Sequence, residues 1–209
     1  IAEYAERRRT DLVVMGTHGR GGVGRLVLGS VANALIRRSS VPVMTVRDRG
    51  EDEVPAAAPG AYETLLAPID FSDHSRRALH IAKEIAHPYG ATRHLLFVAE
   101  KRVLPTFSDT GLPGLSVVEM DPEIIENAAE ALEAFDDHVE GPAGPRACHV
   151  VEGEVATNIV GFAEDNQADL IVMATRGLTG VDQFVLGSNA ERVVRRAPCP
   201  VLTVPPHEA

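Results

Sequence analysis

The sequence predicts a doubly wound α/β fold, a five-stranded parallel sheet with helices on both faces. Three observations carry that expectation. From residue 62 onward, strand-like runs alternate with helical patterns, which implies right-handed crossovers between parallel strands. The runs are apolar throughout (TLLAPI at 64–69, LIVMA at 170–174, PVLTV at 200–204), as in strands covered on both sides. Finally, one segment occurs twice. Asp11 to Val46 and Asp169 to Val204 align without a gap at an offset of 158 residues, and about half of the paired positions are identical. Such a match marks two copies of one structural unit.

The copies are unequally complete, because only ten residues precede Asp11 whereas more than a hundred patterned residues precede Asp169. The expected organisation is the C-terminal part of a first domain over 1–47, a linker over 48–61 and a complete domain over 62–206. The linker reading rests on the charged, then Ala- and Pro-rich stretch that begins RDRGEDEVPAAAPGA at Arg47.

In the complete domain, Thr64–Ile69 is the first strand, ended by the turn and cap cluster Asp70-Phe71-Ser72-Asp73. Ala78, Leu79, Ala82, Ile85 and Ala86 then form one helical face, and Leu95–Val98 is the next strand. Residues 101–120, with Pro105, Gly111, Pro113 and Gly114, read as a long irregular loop. Asp121-Pro122 opens a helix that runs to about His138. A strand over 147–151, a helix over 155–166 and a strand over 170–174 follow. The repeat closes with a helix over 187–196 and a strand over 201–204.

Composition narrows the function. A formal charge of -10 argues against a nucleic-acid groove, which needs clustered Lys and Arg. No apolar run approaches the roughly 18–20 residues of a membrane span, and nothing resembles a signal peptide. Cys148 and Cys199 form no ligand or redox pattern, so free thiols in a reducing cytoplasm are expected. The eight histidines lack metal-ligand spacing.

The chemistry gathers between strand and helix in each copy. Gly16-Thr17-His18-Gly19 ends a strand, nine residues follow, and Gly29-Ser30 opens a helix. Glycines let a backbone approach a ligand, and a helix start offers unpaired N–H groups to an anion. Neither a Walker A loop nor a GxGxxG fingerprint is present.

The pattern G-2x-G-9x-G-S, after a DLVVM or DLIVM strand and before a helix with a basic doublet and a PV strand, resembles the universal stress protein family. TLLAPIDFSDHSRRAL and VVEGEVATNIVGFAEDNQADLIVM resemble that family's first strand through first helix and third strand through fourth. The resemblance covers Tyr62–Pro205 and Ile1–Arg47. It implies an adenine nucleotide alpha hydrolase-like fold with strand order 3-2-1-4-5, tandem domains, and pairing through the fifth strand as an intrachain pseudo-dimer or homodimer. It also implies ATP as ligand, alone or with Mg2+, in a cytoplasmic regulatory protein with at most slow hydrolysis.

Carried over by position, Asp70 would contact the adenine, beside Pro68 and Ile69, and Val98 would flank the base. Met173 would pack near it, with Ala174 and Gly177 under the ribose and phosphates. Gly187, Ser188 and Asn189 would hold phosphate. The partial first-copy site comprises Gly16, His18, Gly19, Gly29 and Ser30. Two departures matter. Ala174 stands where the first copy has Gly16, and the first copy lacks a counterpart of Asp70. The residues alone leave Asp70 open as helix cap or ligand. Arg176 and His18, at matched positions, either contact phosphate or solvate the loop. Two rival readings stand beside the first: a dimerisation module that binds no nucleotide, and an ATP-hydrolysing or nucleotidyl-transfer enzyme of related fold. No nucleophile–base set supports the latter.

Overall fold

The computed structural model describes residues 1–17, 28–47, 62–100, 102–107, 113–118, 122–177 and 186–206. The first copy contributes α1 (Ala2–Arg7), β1 (Val13–Gly16), α2 (Ser30–Arg38) and β2 (Val43–Val46). The remainder folds as β3 (Thr64–Pro68), α3 (Asp73–Ala86), β4 (Thr92–Ala99), β5 (Arg102–Phe107) and β6 (Pro113–Val118). It continues as α4 (Pro122–His138), β7 (Arg146–Glu152), α5 (Val155–Asp165), β8 (Leu170–Ala174), α6 (Ser188–Arg196) and β9 (Val201–Val204). The proposed linker lies outside the described residues.

The main sheet has the order β1-β2-β9-β8-β3-β4-β7. The expected five-stranded parallel sheet is therefore corrected to seven strands, with one antiparallel pairing. β2 joins the outer edge of β9 in the register Val43↔Thr203, Met44↔Leu202 and Thr45↔Val201, and β1 runs parallel to β2. The physical reason is that an apolar edge strand leaves a row of unpaired backbone groups. VLTV and its repeat VMTV satisfy one another there. Thr45 Oγ1 donates to the Val201 carbonyl at 3.1 Å, and Thr203 Oγ1 donates to the Val43 carbonyl at 3.0 Å. The strands of 62–206 follow one another as β7-β4-β3-β8-β9, all parallel.

Residues 101–120 need a second correction. β5 and β6 pair antiparallel as a separate two-stranded ribbon, from Arg102↔Val118 to Phe107↔Pro113. Pro105, Pro113 and Gly114 disguise the strand signal, yet a two-stranded ribbon has free edges that tolerate such residues.

Two layers cover the main sheet. Ala32, Leu35 and Ile36 of α2, Ala156, Ile159 and Ala163 of α5, and Ala190, Val193 and Val194 of α6 pack on one face. Ala78, Leu79, Ala82 and Ala86 of α3, with Leu132 and Phe135 of α4, pack on the other. That second layer reaches the first copy at Met44 of β2 but leaves its neighbours uncovered. Leu12, Val14 and Val46 are 38%, 58% and 38% exposed, whereas their repeat counterparts Leu170, Val172 and Val204 are at most 1% exposed.

Buried charge ties α4 to the sheet. Asp136 accepts from Arg93 Nη1 and Arg146 Nη1, each at 2.7 Å, and lies 3.4 Å from Lys83 Nζ. Lys83 Nζ also donates to the carbonyls of Asp136 and Val139, at 2.6 and 2.8 Å. Cys148 on β7 and Cys199 just before β9 form no disulfide, and four strand spacings, about 19 Å, separate their strands.

Candidate functional site

β3 has parallel neighbours on both sides, β4 reached forward in sequence and β8 reached by a later crossover. The chain order therefore reverses at β3, and ligands of doubly wound sheets bind beyond the carboxyl ends of strands at that point. Asp70 stands there, two residues past β3. Its Oδ1 accepts from the Ser72 N–H at 3.1 Å and the Ser72 hydroxyl at 2.6 Å. Ser72 Oγ in turn accepts the Ser75 N–H at 3.1 Å as the N-cap of α3. Ser72 is thus the cap, and Asp70 holds it in place. That resolves the ambiguity about Asp70 in part, because its second oxygen faces away from the cap.

Oδ2 faces Gly177, across the crevice at the end of β8. A Cβ on residue 177 would lie 2.6 Å from that oxygen, closer than any side chain tolerates. The φ of Gly177 lies outside the left-handed region, so it is the approach of the carboxylate that excludes a side chain. The end of β8 and the start of α6 meet where the Gly187 N–H donates to the Thr175 carbonyl at 2.8 Å. A Cβ on Gly187 would sit 3.2 Å from that carbonyl oxygen. Gly187 is the N-cap of α6 and supplies no side-chain cap, with Ser188 exposed and Asn189 half-buried in the first turn.

The first copy builds the same base. The Thr17 N–H donates to Val46 O at 3.0 Å and the Gly29 N–H to Thr17 O at 2.9 Å; the equivalents at Thr175 and Gly187 are 3.0 and 2.8 Å. Gly29 and Gly187 have φ, ψ of -58°, 143° and -57°, 139°. Ser30 opens α2 as Ser188 opens α6, and Gly16 ends β1. His18 and Gly19 lie outside the described residues. Among the described residues, nothing corresponding to β3 flanks β1, which is the outermost strand of the sheet.

The structure therefore brings Asp70, Arg176, Gly177 and Gly187 together. Val98 and Met173 are buried in the α5/α6 layer, and Pro68 is half-buried at the end of β3. Ile69 differs, for its side chain packs in the opposite, α3/α4 layer. Ala174 ends β8 opposite Val204 and is absent from the left-handed residues, so its backbone does not require glycine. Two residues escaped the sequence reading. Thr175 joins the end of β8 to the start of α6 through its main chain, and its identity with Thr17 in the repeat was the available signal. Phe71 adopts φ +62°, which no sequence pattern announces. Among the described residues, no group of three or more His, Cys, Asp or Glu side chains is placed to hold a metal ion.

The model of the universal stress protein family matches residues 1–47 and, separately, 61–205. The chain belongs to the universal stress protein family. A universal stress protein of Methanocaldococcus jannaschii is 38% identical over 144 residues, 68% of this chain and 82% of that protein. A universal stress protein of Mycobacterium tuberculosis is 30% identical over 198 residues, 92% of this chain, which spans only 61% of that relative's length. Among solved structures, a putative universal stress protein from Pseudomonas aeruginosa superposes with TM-score 0.69 at 18% identity, covering 99% of this chain and 67% of that one. One from Archaeoglobus fulgidus gives 0.62 at 23%, covering 97% and 64%. These likenesses show the fold. No helix among the described residues of this universal stress protein is long and apolar enough to cross a membrane.

Proposed function

We propose that residues 62–206 form an adenine-nucleotide-binding regulatory domain with one ATP site. The observation that carries this reading is the approach of the Asp70 carboxylate to Gly177. A hydrogen-bonded acceptor and a side-chain-free backbone face one another at the switch point, next to the start of α6. The carboxylate suits the adenine amino group, as acceptors suit amine donors. Gly177 leaves room for ribose and phosphate, and the N–H groups and Ser188 hydroxyl at the α6 N-terminus suit phosphate oxygens. Mg2+ would enter with the phosphates. The family resemblance points to the same ligand. We read residues 1–47 as the end of a first domain of the same type, paired through β2 and β9 as a pseudo-dimer. Its described residues include the strand end and helix start that would form the phosphate side of such a site.

Isothermal titration of the folded protein with Mg·ATP is the test. Saturable binding that weakens at least about tenfold, a loss of roughly 1.4 kcal/mol, in Asp70→Ala is expected. An absence of heat at millimolar ATP would refute the reading and leave the protein-interaction alternative, for which the β2–β9 pairing is the relevant surface. Hydrolysis has less support, because the sequence offers no nucleophile–base set with credible spacing.

A further inference from the structure

The turn that carries Asp70 contains a residue in a conformation that its side chain disfavours. Phe71 has φ +62°, the left-handed region that non-glycine residues seldom occupy. Such residues persist where their surroundings over-determine them. Here the surroundings are aromatic. The Phe71 ring lies 5.1 Å from that of Phe97 on β4, tilted by 56°, and 5.5 Å from that of Phe135 on α4, edge-on at 84°. The Arg76 guanidinium covers Phe135 from 5.0 Å. The wedge thus joins the turn to β4 and α4 on one side of the sheet, while Asp70 Oδ2 points at Gly177 on the crevice side.

We propose that Phe71 is a positioning residue for the Asp70 carboxylate: its ring, wedged between Phe97 and Phe135, holds the left-handed turn that gives Asp70 Oδ1 to Ser72 and turns Oδ2 toward Gly177. The consequence for ligand binding rests on the nucleotide reading above; the geometric claim does not. With the turn relaxed to an extended φ, the Ser72 N–H and hydroxyl would swing away from Oδ1, and the carboxylate would lose its fixed direction. The aromatic wedge would then act on a site that it does not touch.

The test compares Phe71→Val with Phe71→Gly in the full chain. Valine is β-branched and resists positive φ, whereas glycine adopts it without cost. Two readouts are taken: amide hydrogen exchange at Ser72 by NMR, which needs no ligand, and Mg·ATP affinity by titration. Phe71→Val should accelerate Ser72 exchange and weaken ATP binding at least about tenfold. Phe71→Gly should keep Ser72 protected and stay within about threefold of the parent affinity, despite losing the ring. That rescue separates a turn requirement from a packing requirement. Unchanged exchange at Ser72 in Phe71→Val, or an equal loss in both variants, overturns the proposal. If the parent protein binds no ATP, the nucleotide reading fails alone, and the Ser72 exchange still decides the role of Phe71.

Discussion

A methyl group at position 177 and the Asp70 carboxylate cannot occupy the positions the fold gives them, and that conflict makes a direct prediction. Oδ1 is held by two donors from Ser72, so the carboxylate has little freedom to move aside. Gly177→Ala should therefore rotate Asp70 off Ser72 and weaken ATP binding at least about tenfold by titration calorimetry. The melting temperature should change by only a few degrees, because the clash falls at a crevice and not in a packed layer. Ala174→Gly predicts the opposite. Ala174 is extended and paired with Val204, so the change should alter affinity less than about threefold. A large gain would show that the methyl obstructs the ligand. In the sequence these two positions looked alike, both members of a glycine pattern. Only the approach of another chain segment distinguishes a glycine that is required from one that is dispensable.

Between elements, two polar devices deserve measurement. The first is Asp136, through which α4 engages α3, β4 and β7. Burial alone would raise its carboxyl, but hydrogen bonds from Arg146 and Arg93, with the charges of Arg93 and Lys83, hold it below the usual carboxylate range. Asp136→Ala would leave Arg93 buried without its counter-charge and should cost about 3–5 kcal/mol in urea unfolding. A cost under about 1 kcal/mol would contradict the account. The second device is the pair His94 on β4 and His149 on β7. Their rings are parallel within 9°, with centroids 5.1 Å apart and His94 Nδ1 only 3.0 Å from His149 Nε2. Those distances place the rings nearly end to end in one plane, sharing a single N–H···N hydrogen under Phe162. Burial, joined at His94 by the charge of His149, lowers both imidazoles from their ordinary value. The folded state then binds fewer protons than the unfolded chain. Stability should be complete above about pH 6.5 and decline as pH falls through that value toward the lowered folded one. His94→Gln should flatten unfolding free energy measured from about pH 7 to 5; an unchanged slope would exclude the pair as its source.

For the molecule as a whole, the repeat announced most of the architecture, and its limits are instructive. Period and capping place α3, β8, α6 and β9 within a residue or two, because apolar runs and helical faces are local signals. The single seven-stranded sheet was not local information. It depends on β9 presenting an edge and β2 matching it, a fact about two surfaces. The β5–β6 ribbon stayed hidden for the converse reason, since Pro and Gly are penalised only where a strand has neighbours on both sides. Motif order singled out Asp70, Gly177 and Gly187, which lie together at the switch point, but the strained turn at Phe71 and the packing of Ile69 required coordinates. The strand ends and helix starts of the two copies are built alike, yet among the described residues only the second copy meets an Asp across the crevice. Equilibrium dialysis with labelled ATP should therefore find one nucleotide bound per chain, lost in Gly177→Ala and retained when Gly29 is replaced by Ala. Two nucleotides per chain, or one that survives Gly177→Ala and disappears with Gly29→Ala, would contradict it.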